Sequence, residues 1–321
     1  MTKTIIFLTI FIFLAGCNGN KDFADNNDTH KEKEIVSLAP KPYRVQSKVI
    51  KITVRNASYP IHDPGGNNLS KHYKLRERQI DIPLNQTALI LIDTWELERK
   101  RFESSNNDDI AKQIKPLLKM ARAVDMLVLH APHRPIGWDG INHKQRDLDL
   151  RGPSDTPRSV LPVWVKKNKI NKNQWPPVEF IFRLKEYSKY SRYSNPLYIP
   201  YPKILGIHKD LLPKKREREF IASSFNDVQK IFKDYKILHL LYAGAATNQC
   251  IVMRPVGIRN MSAHGYNTII IRNATIGSEL HNTIDSQRVT KAAILDIEIN
   301  NGFSVDKDDL FNALKSLNKR S

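Results

Sequence analysis

Two residues stand where chemistry could be done. Cys250 closes the segment Gly244-Ala245-Ala246-Thr247-Asn248-Gln249-Cys250, which joins an apolar run to a stretch of helical spacing. A thiol attacks as its thiolate, and the first turn of a helix favours that form through its dipole and unpaired N–H groups. The same N–H groups could hold a developing oxyanion. Thr247 or Asn248 supplies the N-cap side chain such a helix start needs. Asp93 ends the apolar run Thr87-Ala88-Leu89-Ile90-Leu91-Ile92. That places a carboxylate at the end of a strand. Trp95 and Glu96 follow it and, with His130 and Thr247, are candidate pocket residues. His130 and His133 are the candidate metal ligands, but Pro132 between them opposes helical ligand spacing. No cofactor is expected beyond a divalent metal at those histidines. Glu279 and His281 read as a helix start.

The elements that would position these residues alternate between strand and helix. Thr87–Ile92 and 126–130 are continuous apolar runs, as in strands buried on both faces of a parallel sheet. Residues 220–222, 237–242, 268–271 and 297–299 read as four further strands. Helical spacing covers 109–124, 227–232, 248–263, 281–295 and 306–317. Such alternation predicts an α/β fold, a Rossmann-like three-layer sandwich with a mostly parallel six-stranded sheet flanked by helices. Ligands bind at the carboxyl ends of the strands in such sheets, and Asp93, His130 and the 244–250 loop all fall there. Residues 131–213 break the alternation. They are rich in Pro, Trp, Tyr and base, and read as a long insertion capping the strand ends. Five tyrosines (187, 190, 193, 198 and 201) are interleaved there with basic residues, a cap whose rings pack on the core.

The whole chain has 321 residues, a formal charge of +18, and two cysteines, which exclude a disulfide scaffold and an all-cysteine metal cluster. The charge alone is compatible with nucleic acid, anionic lipid or an acidic ligand. Lys3, the apolar run 5–14 and Leu14-Ala15-Gly16-Cys17 form a signal peptide that resembles a bacterial lipobox. That resemblance implies a mature chain starting at a lipidated Cys17, with a membrane partner through palmitate-type acyl chains and a cell-envelope, extracytoplasmic location. It also leaves Cys250 as the only free thiol. Residues 1–16 are then the signal peptide, 17–45 the lipidated cysteine and a polar, disordered tether, and 46–317 the catalytic domain. Outside the cytoplasm nucleic acid is not the expected partner; a small molecule is.

The segment LLYAGAATNQCIVMRPVGIRNMSAHGYNTIIIRNATIGSE, together with ALILIDTW, resembles the isochorismatase-like cysteine hydrolases, which include nicotinamidases. The resemblance covers roughly residues 85–130 and 205–317. It implies an Asp–Lys–Cys triad with Cys250 as nucleophile and Asp93 as base. It further implies an oxyanion hole of the Ala246 and Cys250 N–H groups, a cis peptide at Ala245–Ala246, and often a homo-oligomer. The lysine, however, has no match. Aligning Ser223-Ser224-Phe225 places Glu219 at its position, and aligning the strand places Ser223 there. Lys214, Lys215 and Arg218 lie nearby as basic-loop residues. Two readings follow: a lipid-anchored cysteine hydrolase of a small amide or related C–N bond, or a catalytically impaired relative that keeps its pocket for binding. What separates them is whether any cation reaches Asp93 and Cys250.

Overall fold

The apolar runs form the centre of one sheet. In the computed structural model, residues 48–58, 74–97, 106–132, 175, 177–181, 185–190 and 204–319 are described. The strands are β1 (Val49–Ser58), β2 (Lys74–Pro83), β3 (Thr87–Ile92), β4 (Trp95–Leu97), β5 (Leu127–Ala131), β6 (Ile204–Ile207), β7 (Glu219–Ile221), β8 (His239–Ala245), β9 (Asn267–Ile276) and β10 (Phe303–Asp306). The helices are α1 (Asn106–Ala123), α2 (Val178–Ile181), α3 (Phe225–Asp234), α4 (Cys250–Met253), α5 (Ile258–Ala263), α6 (Arg288–Asn300) and α7 (Lys307–Asn318). The main sheet runs β2-β1-β10-β9-β8-β3-β5-β7. The six strands from β10 to β7 are parallel, while β1 and β2 add an antiparallel hairpin.

Every residue of β3 is buried, because it lies between β5 and β8 and is covered on both faces. Leu89 and Leu91 face α1 and α7; Ala88, Ile90 and Ile92 face α3, α4, α5 and α6. The result is a three-layer α/β sandwich. Each buried Leu or Ile in it contributes about 1.5–3 kcal/mol of apolar burial.

The structure departs from the sequence reading in three places. The sheet has eight strands because β1 and β2 join its edge. Ile50, Ile52 and Val54 alternate inward along β1, whereas the charged face of β2 stays exposed, as suits an edge strand. The expected strand at 297–299 is the end of α6. Thr290, Ala293, Ile294, Ile297 and Glu298 are buried at helical spacing, and the sixth parallel strand is β10. The expected helix over 248–263 is two short ones. Pro255 lacks an N–H and pushes the residue before it out of helical geometry; Arg254 is extended, with φ −73° and ψ 162°.

Within the expected cap, β6 pairs antiparallel with β4, the strand just after Asp93. Phe180 meets Tyr187 edge to face, with centroids 5.3 Å apart, and Tyr190 at a tilt, at 6.0 Å. Among the described residues no helix is long and apolar enough to cross a membrane. Cys17, the tether and His133 lie outside the described residues.

Candidate active site

β3 and β8 are parallel neighbours with Ile92 opposite Gly244, so the residues just past their ends converge. Gly244 has φ +119°, and a Cβ there would sit 2.0 Å from the Ile92 carbonyl oxygen. Only a glycine lets the two backbones pass this closely. Asp93 itself adopts φ +47°, a left-handed conformation uncommon for a residue with a side chain. That bend aims its carboxylate across the end of β8.

The carboxylate meets two partners. Arg254 Nη1 donates to Asp93 Oδ1 at 2.7 Å and to the Ala131 carbonyl at 3.3 Å. The Cys250 thiol lies near enough for the Asp93 charge to raise its pKa. Asp93 is 3 % exposed and the Arg254 side chain 14 %. The cation that the sequence lacked at β7 thus arrives from the end of α4, four residues after the thiol. Residues four apart share a helix face, and the bend imposed by Pro255 completes the placement. The i, i+4 spacing of Cys250 and Arg254 was the sequence signal for it.

The other basic candidates are elsewhere. Arg218 Nη2 donates to the Asn85 carbonyl, at the amino end of β3, and its guanidinium lies over Tyr235. Lys214 offers its backbone N–H to Glu219. Glu219 accepts from Arg122 Nε at 3.1 Å and meets His130 Nε2 at 2.9 Å. Burial raises the Glu219 carboxyl, but the bonds from His130 and Arg122 outweigh it and hold it near 2. Burial also lowers His130. His130 therefore ties β5 to β7 and α1, and does not line the site as expected from its strand-end position. Thr247 is fully buried, with its hydroxyl 2.7 Å from that of Thr275 and its N–H on the Ile276 carbonyl. It anchors the loop to β9. Trp95 is buried where β4 meets β6, opposite Ile207.

The peptide Ala245–Ala246 is cis. Gln249 and Ile251 N–H groups both close on the Ala246 carbonyl, at 3.0 and 3.2 Å, and the Cys250 N–H between them takes no part in those bonds. The Ala246 N–H lies near enough to the thiol to favour its charged form slightly. The expected lowering of the thiol pKa does not occur. Burial, then the Asp93 charge and its hydrogen bond, raise Cys250 to about 11, against the smaller pull of Ala246 N–H and Arg254. α4 is a single turn, so its dipole is weak. With its pKa raised to about 11, the Cys250 side chain rests as a thiol beside the Asp93 carboxylate.

A second cluster gathers Glu96, Asp108 and His208, whose ligand atoms lie within 4.8 Å of one another. His208 Nε2 is 3.0 Å from Asp108 Oδ1 and 3.6 Å from Glu96 Oε2. Its Nδ1 accepts from Asp210 N–H at 3.2 Å. A neutral imidazole in that tautomer carries its proton on Nε2 and donates it to Asp108. A metal would need a lone pair at Nε2, so the cluster as it stands is a hydrogen-bonded tie between β4, α1 and the turn after β6. Glu279, expected at a helix start, accepts from the Thr290 and Val289 N–H groups and so caps α6.

No protein-family model matches the sequence, and no curated protein matches it. Among solved structures, the chain is similar to a cysteine hydrolase from Pseudomonas syringae pv. phaseolicola 1448A. Identity is 17 %, with 74 % of this chain and 95 % of that chain covered and a TM-score of 0.43. A putative isochorismatase hydrolase from Oleispira antarctica gives 17 %, 71 %, 97 % and 0.42. An isochorismatase family protein from Burkholderia thailandensis gives 15 %, 72 %, 96 % and 0.40.

Proposed function

We propose that the chain is an isochorismatase-like cysteine hydrolase that cleaves a small amide, with Arg254 in place of the missing lysine. The observation that carries this reading is that Asp93, whose charge acts on the Cys250 thiol, is bonded to the Arg254 guanidinium at 2.7 Å.

The chemistry follows from that arrangement. A thiol near 11 is not ionised at neutral pH, so its proton moves to Asp93 as sulfur attacks the amide carbonyl. Negative charge passes from the carboxylate to sulfur and then to the carbonyl oxygen. Arg254 stays charged throughout and offsets it, and the Ala246 and Cys250 N–H groups receive the oxyanion. Asp93 returns the proton to nitrogen as the C–N bond breaks. Water then attacks the thioester, giving its proton to Asp93, and the thiol leaves with that proton restored. An anchor at Cys17 would hold the enzyme at the outer side of a membrane.

Release of ammonia from a panel of small primary amides tests the reading. Turnover lost in Cys250→Ala supports it. The raised thiol favours the second reading, an impaired relative that binds a ligand: binding without turnover across the panel would establish that instead.

A further inference from the structure

Arg254 does more than its bond to Asp93 requires. A guanidinium carries five N–H donors in a planar fork and pairs with carboxylates two bonds at a time. Here both contacts, to Asp93 Oδ1 and to the Ala131 carbonyl, come from Nη1. Nε and Nη2 make no hydrogen bond among the described residues, and the side chain keeps 14 % exposure. A guanidinium edge that meets only water at a mostly buried side chain is open to a ligand's carboxylate. A lysine, with one ammonium, would have no second edge to offer.

We propose that this free edge reads an anionic group on the substrate, so that the site takes short amides carrying a carboxylate. The inference rests on the amide-hydrolase reading for where the carbonyl sits. Cys250 and Arg254 flank the same Asp93 carboxylate. A carboxylate on the far edge of the guanidinium is therefore separated by only a few bonds from a carbonyl carbon at Sγ. The basic excess of the chain, +18, raises the local concentration of such anions.

The test compares malonamate, succinamate and glutaramate with their diamides, by calorimetric titration of the full chain carrying Cys250→Ala. At least one half-amide acid should bind tenfold or more tightly than its own diamide. That ratio should fall to about one when Arg254→Lys is added, since the ammonium can still face Asp93 but lacks the second edge. Equal affinities, a preference that survives Arg254→Lys, or no binding by any of the six overturns the proposal. Ammonia release by the unmodified protein separates the two readings. Cys250-dependent hydrolysis of the diamides as fast as the half-amide acids removes the anion site and leaves the hydrolase. Selective binding of the acids with no hydrolysis removes the hydrolase and leaves the anion site.

Discussion

Replacing Arg254 by Met leaves the Asp93 carboxylate, 3 % exposed, without the cation it meets at 2.7 Å. With charge centres about 4 Å apart and an effective dielectric of about 20, the pair attracts by about 4 kcal/mol. Removing one partner of a buried pair costs about 3–5 kcal/mol, because the other charge is stranded. Asp93→Asn strands a guanidinium that is partly open to water, so it should cost less, about 1–2 kcal/mol. The double variant should then be more stable than the sum of the single losses implies, by about 2–4 kcal/mol. Urea unfolding of all four proteins at pH 7 and one salt concentration gives that coupling, provided the m-values agree. A coupling below about 1 kcal/mol, the range of solvent-exposed pairs, would refute the reasoning that this is a buried, functional ion pair.

Three further outcomes follow from single features. The rate of Cys250 alkylation by iodoacetamide should rise with pH towards a midpoint near 11, set by burial and by Asp93; a midpoint near the ordinary thiol value of about 8.5 would contradict it. Gly244→Ala drives a Cβ into the Ile92 carbonyl and should cost about 3 kcal/mol or more by thermal unfolding. Gly265→Ala, at φ +88° with open space around it, meets strain alone, about 1–2 kcal/mol; equal costs would sink the close-approach argument. Glu219 is held near 2, below its ordinary 4.5, so the stability it contributes is fully present above about 4.5 and is lost as pH falls towards 2. Melting temperature measured across that window should fall less steeply in Glu219→Gln than in the unmodified chain, and parallel slopes would argue otherwise.

The parallel core was legible because β3, β5, β8 and β9 are buried on both faces and read as unbroken apolar runs. Asp93 and Cys250 were legible because they sit at the ends of such runs. The hairpin of β1 and β2 went unread although Ile50, Ile52 and Val54 alternate cleanly, since a half-buried edge gives a weaker pattern than a buried run. Ile297-Glu298-Ile299 looked like strand because its apolar-polar-apolar alternation is too short to separate from a helix; the burial of Ile297 together with Thr290 and Ile294 shows the helix. Arg254 was hidden because the cation was sought near β7, whereas its signal was the i, i+4 spacing from Cys250. The Arg-Pro step marked the break between α4 and α5, because a proline restricts the backbone of the residue before it. The thiol was misjudged because the helix dipole was weighed without the burial and the neighbouring carboxylate that outweigh it.

The most direct measurement is the intact mass of the protein during turnover of an amide it hydrolyses, quenched in acid. The account predicts a population heavier by the substrate less ammonia, mapped by peptide digestion to Cys250 as a thioester and released by hydroxylamine. Turnover that persists in Cys250→Ala, with no such adduct in the unmodified protein, would contradict it.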